Sequence, residues 1–236
     1  MCTFIKQPYE KTELPFNEFI EIYSKAYFYS NPKIPGITYV QSNQSREEKV
    51  LKADVLDREG LGLILAWKSG KIKLDGDFYA GWNNCQSEDP SMGRYCMDIS
   101  KLCTEMNNKK KDLDKYIYQE EPLSFIASIL DINAKGIGPV YAIAILYFYS
   151  KGKYPIYDRF ARVAINAINA DPQRFPVKGE SRQMTDYEIE YPKYIQEIEV
   201  LQREYQELFQ LPSQINYLEY RNLDRALWIY GHGFNP

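Results

Sequence analysis

Residues 133–165 read NAKGIGPVYAIAILYFYSKGKYPIYDRFARVAI, and no other part of the chain says as much about its architecture. Gly136-Ile137-Gly138-Pro139 predicts a tight turn, since two glycines around one apolar residue accept φ values that other residues resist. Val140 to Tyr149 is nearly all apolar or aromatic and predicts a helix at the centre of a core. A Lys-Gly-Lys-Tyr-Pro loop then leads to Asp158, twenty residues beyond Gly138 and at the head of the amphipathic run RFARVAINAI. Ile137 is placed to plug the turn between its flanking helices. The N–H groups of the turn then point outward at the positive end of a helix dipole, a natural anion site.

Helical patterns fill most of the remaining chain. Pro122 suits the first position of a helix with Leu123, Ile126, Ile129 and Leu130 inward. Asn17 is positioned to cap a helix in which Phe19, Ile20, Tyr23 and Tyr27 recur at helical spacing. Ser45 and Glu48 fit a capping box ahead of Val50, Leu51 and Val55. GLGLILAWKSGKI predicts a short buried helix ended by Gly70. Residues 71–112, with DGDFYAGWNN, SEDPSMG and NNKKKDLDK, favour turns and surface loops. Residues 171–186, rich in Pro, Gly and charge, read as a long surface loop. Pro192 is expected to open a helix with Ile195, Ile198, Leu201, Tyr205 and Leu208 inward, and another starts near Gln214. Asn222 is expected to cap a last helix, LDRALWIYG, that Gly231 ends. No strand pattern or internal repeat stands out, so the fold class is mainly α, with roughly nine to eleven helices.

Composition narrows the function without choosing it. The chain is 44% hydrophobic and 26% charged, as ordinary globular proteins are, and no apolar run reaches membrane-spanning length. The N-terminal MCTFIKQPYEKTELP lacks the apolar stretch of a secretory signal. A net charge of −3 fits a cytoplasmic protein without a nucleic-acid partner; binding DNA requires Lys and Arg to be concentrated locally. Cys2, Cys85, Cys96 and Cys103 form no CxxC pair and His232 is the only histidine, so neither metal nor cofactor is expected. A Ser-His-Asp centre would have to be built on His232, and nothing nearby supports one.

Asp158 is the candidate catalytic residue. Breaking an N-glycosidic bond develops positive charge on the sugar, which a fixed carboxylate stabilises. A carboxylate at a helix N-terminus stays ionised, which fits that electrostatic role better than a general base. Aspartate is also a preferred N-cap, and taken alone the residue reads as a cap; the two roles are compatible, since a capping carboxylate is rigidly held. Lys151, Lys153, Arg159 and Arg162 surround it in sequence and are candidate phosphate contacts, whereas Lys109, Lys110 and Lys111 read as a solvated run. Tyr157, Trp228, Tyr230 and Phe234 are candidates to stack on a flipped base, with His232 as a hydrogen-bonding partner. Core packing is the competing account of each aromatic, and completion of a helix end that of His232. Trp67 and Lys68 stay undecided.

Hairpin, apolar helix, proline and helix-opening aspartate together resemble the helix-hairpin-helix superfamily of base-excision DNA glycosylases, best over residues 122–169, about a fifth of the chain. The closing LDRALWIYGHGF resembles the last helix of a bacterial group related to 8-oxoguanine DNA glycosylases. The resemblance implies two helical subdomains around a cleft, within one unit spanning 1–236. Residues 113–186 would form the helix-hairpin-helix subdomain, and 1–112 with 187–236 the other. It also implies that Asp158 is the catalytic acid and that Lys135, Gly136, Ile137, Gly138 and Val140 hold a phosphate. Bifunctional members carry a nucleophilic lysine where this chain has Val140, so Schiff-base chemistry is not expected there. Pro155-Ile156-Tyr157-Asp158 is one residue longer than the usual Pro-x-Asp, and the four-cysteine iron–sulfur loop is absent. The implied activity is a monofunctional glycosylase that extrudes a damaged or modified base from duplex DNA, cytoplasmic and associated with the bacterial nucleoid. A non-catalytic helix-hairpin-helix DNA-binding protein, or a helical interaction domain in which KGIGP is only a turn, are the alternatives.

Overall fold

A computed structural model describes residues 4–7, 10–27, 44–69, 97–169, 171, 174–175, 186–211 and 217–233, which are mainly helical. In chain order these form β1 (Phe4–Gln7), β2 (Glu10–Leu14), α1 (Phe16–Ala26), α2 (Gln44–Leu51) and α3 (Arg58–Lys68). There follow α4 (Ile99–Asn108), α5 (Lys110–Tyr118), α6 (Pro122–Leu130), α7 (Pro139–Tyr149), α8 (Arg159–Ile168), α9 (Tyr187–Leu208) and α10 (Tyr217–Gly233). The chain divides into two compact units, Ser45–Ser150 and Met1–Gln44 with Lys151–Pro236. The Gly136–Pro139 turn and Asp158 therefore belong to different units.

The Ser45–Ser150 unit is built on α7, with α3 and α6 packed against it. Ala142 to Phe148 are all buried, because a helix apolar on every face has no side to give to water. Trp67 meets Phe148 edge-on at 5.8 Å between ring centroids, and Phe125 meets Tyr149 at 5.1 Å. Pro122 is at the helix start as expected; Phe125, Ile126 and Ile129 are buried below it, while Leu123 and Leu130 stay half-buried. Asp57 caps α3, accepting from the Gly60 N–H at 2.9 Å. Gly60 must be glycine, since a Cβ there would lie 2.9 Å from both the backbone nitrogen and the carbonyl carbon of Asp54.

In the other unit α10 packs on α1 and α8. Tyr230 sits edge-on to Phe19 and Tyr23, at 5.3 and 5.1 Å between centroids, and burial pushes the Tyr23 phenol up to about 12. At the N-terminal end β1 and β2 pair antiparallel, Phe4 with Leu14 and Ile5 with Glu13, with a register shift before Gln7 pairs with Glu10.

Several local expectations are corrected. The ribbon of β1 and β2 was not visible as a pattern. NNKKKDLDK is not loop: it ends α4 and opens α5, with Leu113 buried and Lys110 paired to Asp114 at 2.6 Å on the solvated side. Pro15 rather than Asn17 takes the N-cap position of α1, and α2 starts at Gln44, ahead of Ser45. Asp186 caps α9, leaving Pro192 inside the helix, where it removes a single backbone bond. Asn222 lies within α10, accepting from Arg225 Nη1 at 2.9 Å, and the helix continues past Gly231 to Gly233. Within 171–186, Phe175 is buried, tied to Asn166 by hydrogen bonds of 2.8 and 3.0 Å. Gly70 and residues 71–96 lie outside the described residues.

Candidate functional site

The turn between α6 and α7 is held by short backbone bonds. Ile137 N–H donates to Ala134 O at 3.2 Å and Ala142 N–H to Gly138 O at 3.0 Å. From outside, Asp98 N–H donates to Lys135 O at 3.0 Å and Lys101 Nζ to Asn133 O at 3.1 Å. Those two supports come from the start of α4, more than thirty residues upstream, and no local signal announces them. Among the described residues, the N–H groups of Gly136, Gly138 and Val140 have no partner within the chain. Lys135 and Gly136 are exposed, and Ile137, Gly138 and Val140 half-buried, so Ile137 plugs the turn only partly.

The two glycines of the turn exist for different reasons. Gly136 has φ 80°, a left-handed conformation that costs other residues about 1–2 kcal/mol. Gly138 is extended, φ −115° and ψ −178°, and a Cβ there would meet nothing within 4 Å. Neither strain nor crowding in the fold asks for glycine at 138. Gly138 stands at the N-cap of α7, a position that favours glycine over alanine.

Asp158 is the N-cap of α8, half-buried, its Oδ1 accepting from the Phe160 N–H at 2.9 Å. Lys151 and Lys153 are exposed in the preceding loop, where Lys151 (φ 53°) and Gly152 (φ 80°) reverse the chain. Arg159 is half-buried, its guanidinium 5.7 Å from the Phe160 ring centroid. Arg162 is not a surface phosphate contact. It is 5% exposed, lies 4.5 Å over the Tyr157 ring and stands 3.9 Å from the Glu190 carboxylate.

Of the expected stacking residues, Tyr157 and Tyr230 are core side chains at 1% exposure, with no free ring face for a base. The Tyr157 hydroxyl donates to Glu190, and Tyr194 packs edge-on to its ring at 5.0 Å. Phe234 lies outside the described residues. Trp228 and His232 do come together, and Phe160 joins them. His232 stacks on Phe160 at 3.3 Å between centroids and lies 3.9 Å from Trp228, with all three rings half-buried. In the sequence Phe160 is one residue of the amphipathic run RFARVAINAI, and its pairing with α10 has no local signature.

His232 Nδ1 is 2.8 Å from the Trp228 carbonyl, so that nitrogen carries the proton and Nε2 the lone pair. Burial holds the imidazole below its usual 6.5, and Arg159 adds to this, against the upward pull of the Trp228 carbonyl and Asp158. The unfolded chain therefore binds this proton more readily than the folded one. The neutral ring's contribution is complete above pH 6.5 and is lost as pH falls through the depressed folded value. His232→Gln is expected to flatten the loss of Tm between pH 7.5 and 5.5 relative to wild type; an unchanged slope would remove His232 from the acid transition.

No family model, curated protein or solved structure matches this chain. Among the described residues no cluster of three or more His, Cys, Asp or Glu side chains is arranged to hold a metal ion. Nor is any described helix long and apolar enough to cross a membrane.

Proposed function

We propose that this chain is a monofunctional DNA glycosylase: it extrudes a damaged or modified base from duplex DNA and hydrolyses its bond to the sugar. The observation that carries this reading is Asp158, a half-buried carboxylate fixed by its cap to Phe160 and two residues from Phe160 of the half-buried Phe160–His232–Trp228 cluster. In this reading the rings stack on the extruded base and the carboxylate faces the positive charge that develops on the deoxyribose. The turn from Lys135 to Val140 acts as a helix-hairpin-helix grip on a phosphate, its amides donating and Gly138 leaving room for the strand. Val140 offers no amine, so the product is an intact abasic strand.

Duplexes carrying different lesions or modified bases, scored for abasic sites, test the proposal: release of at least one base without strand cleavage is expected, and none from any substrate refutes it. Gly138→Ala tests the grip separately. The substitution is expected to change stability by no more than about 1 kcal/mol, because alanine accepts this backbone without strain and gives up only the N-cap preference of glycine. Duplex affinity is expected to fall about tenfold or more, as when a hydrogen bond to a charged group worth about 1.5–3 kcal/mol is lost. Gly136→Ala differs, lowering Tm as well. A turn with three unpartnered amides also serves binding without chemistry, and the second reading is a DNA-binding module: duplex affinity that depends on Gly138, with no base released.

A further inference from the structure

The loop that delivers Asp158 is fastened by three side chains from a single stretch of α9. Tyr191 donates its hydroxyl to the Pro155 carbonyl at 2.8 Å and Tyr194 donates to the Ile156 carbonyl at 3.0 Å. Glu190 accepts from the Tyr157 hydroxyl and stands against Arg162 of α8. Each of the three residues ahead of Asp158 is thus tied to α9, two through backbone oxygen and one through its side chain. Both Tyr191 and Tyr194 are 0% exposed. Burial and the neighbouring charges raise both phenols well above their ordinary range, Asp158 being the largest charge acting on Tyr194. They remain donors at any working pH.

We infer that Glu190, Tyr191 and Tyr194 form a clamp whose function is to position Asp158, the two tyrosines acting as positioning residues for the carboxylate. A core that needed only volume would be served by phenylalanine at 191 and 194. The hydroxyls add direction: each fixes one carbonyl, and together they fix the path of a four-residue segment that has no regular secondary structure of its own. Misplacing a catalytic group by about 1 Å costs up to about a hundredfold in rate, so a loop carrying one benefits from such restraint. The consequence for catalysis rests on the glycosylase reading; the clamp itself does not.

Tyr191→Phe and Tyr194→Phe keep the rings and remove the hydroxyls. In single-turnover assays on the lesion that wild type processes, base release is expected to slow about tenfold to a hundredfold with duplex affinity unchanged. In an Asp158→Asn background the same substitutions are expected to add no further loss, because they act through that side chain. Unchanged rates, rates and affinity falling together, or a full further loss in the Asp158→Asn background would each overturn the clamp. Hydrogen exchange at the Phe160 amide, the donor to Asp158, reads the same positioning without catalysis. Faster exchange there than elsewhere in α8 supports the clamp, and unchanged exchange overturns it. If wild type releases no base, the glycosylase proposal falls, and this exchange result alone decides the clamp.

Discussion

Asp158→Asn is expected to slow base release about a hundred- to a thousandfold, the effect of losing one preorganised electrostatic group, while the folded protein and its grip on DNA persist. The substitution is informative because asparagine is as good an N-cap as aspartate. Its side-chain oxygen still accepts from the Phe160 N–H, as Asp158 Oδ1 does at 2.9 Å, so α8 keeps its start and loses only the charge. Alanine removes both cap and charge, and is expected to lower stability by about 1 kcal/mol as well. Duplex affinity for the asparagine variant is expected to stay level or rise, since one negative charge leaves the surface that the proposed function sets against phosphates. His232 supplies an internal check. Asp158 pulls its imidazole upward, so the ring is expected to titrate lower still in the variant, measurable by NMR. Wild-type rates of base release with asparagine in place would leave Asp158 as a helix cap and nothing more.

How far the fold could be read from the chain depended on the range of the interactions. Helix α7 was legible because a run apolar on every face has one destination, and the N-cap at Asp158 because capping is settled within three residues. Pro122 worked for the same reason, whereas Pro192 misled: Asp186 starts the helix earlier, accepting from the Ile189 N–H at 3.3 Å. The site was less legible than the fold. Tyr157 and Tyr230 are aromatic and adjacent to the right residues, but whether a ring faces a ligand or the core is decided by distant partners. Here those are Glu190 and Tyr194 for one, Phe19 and Tyr23 for the other. Arg162 carries the same lesson: a cation four residues from Asp158 reads as a phosphate contact until Glu190 and the Tyr157 ring are seen around it. Conversely, nothing local marks Phe160 as part of a ring cluster, because only α10 coming back against α8 makes it one.

That return is also where a single methyl group meets crowded backbone. Gly231 reads as a helix terminator from the sequence, whereas in an exposed helix interior alanine in its place would stabilise by up to about 1 kcal/mol. In the fold, Gly231 is buried inside α10, directly against the first turn of α8. A Cβ added there would lie 2.6 Å from the carbonyl carbon of Phe160 and 3.0 Å from its Cα, and both are backbone atoms that no rotamer change can move aside. The two helices must separate or tilt, at a cost of about 1–3 kcal/mol from overpacking, which outweighs the gain in helix propensity. Gly231→Ala is therefore expected to lower Tm by several degrees. The displacement begins at the residues that matter most, since Phe160 donates to Asp158 and stacks on His232. Catalysis is accordingly expected to fall further than the loss of folded protein explains, with the His232 ring resonances shifted. The sign of the stability change is the test: an alanine variant as stable as wild type, or more so, would mean that α8 and α10 do not meet as closely as this contact requires.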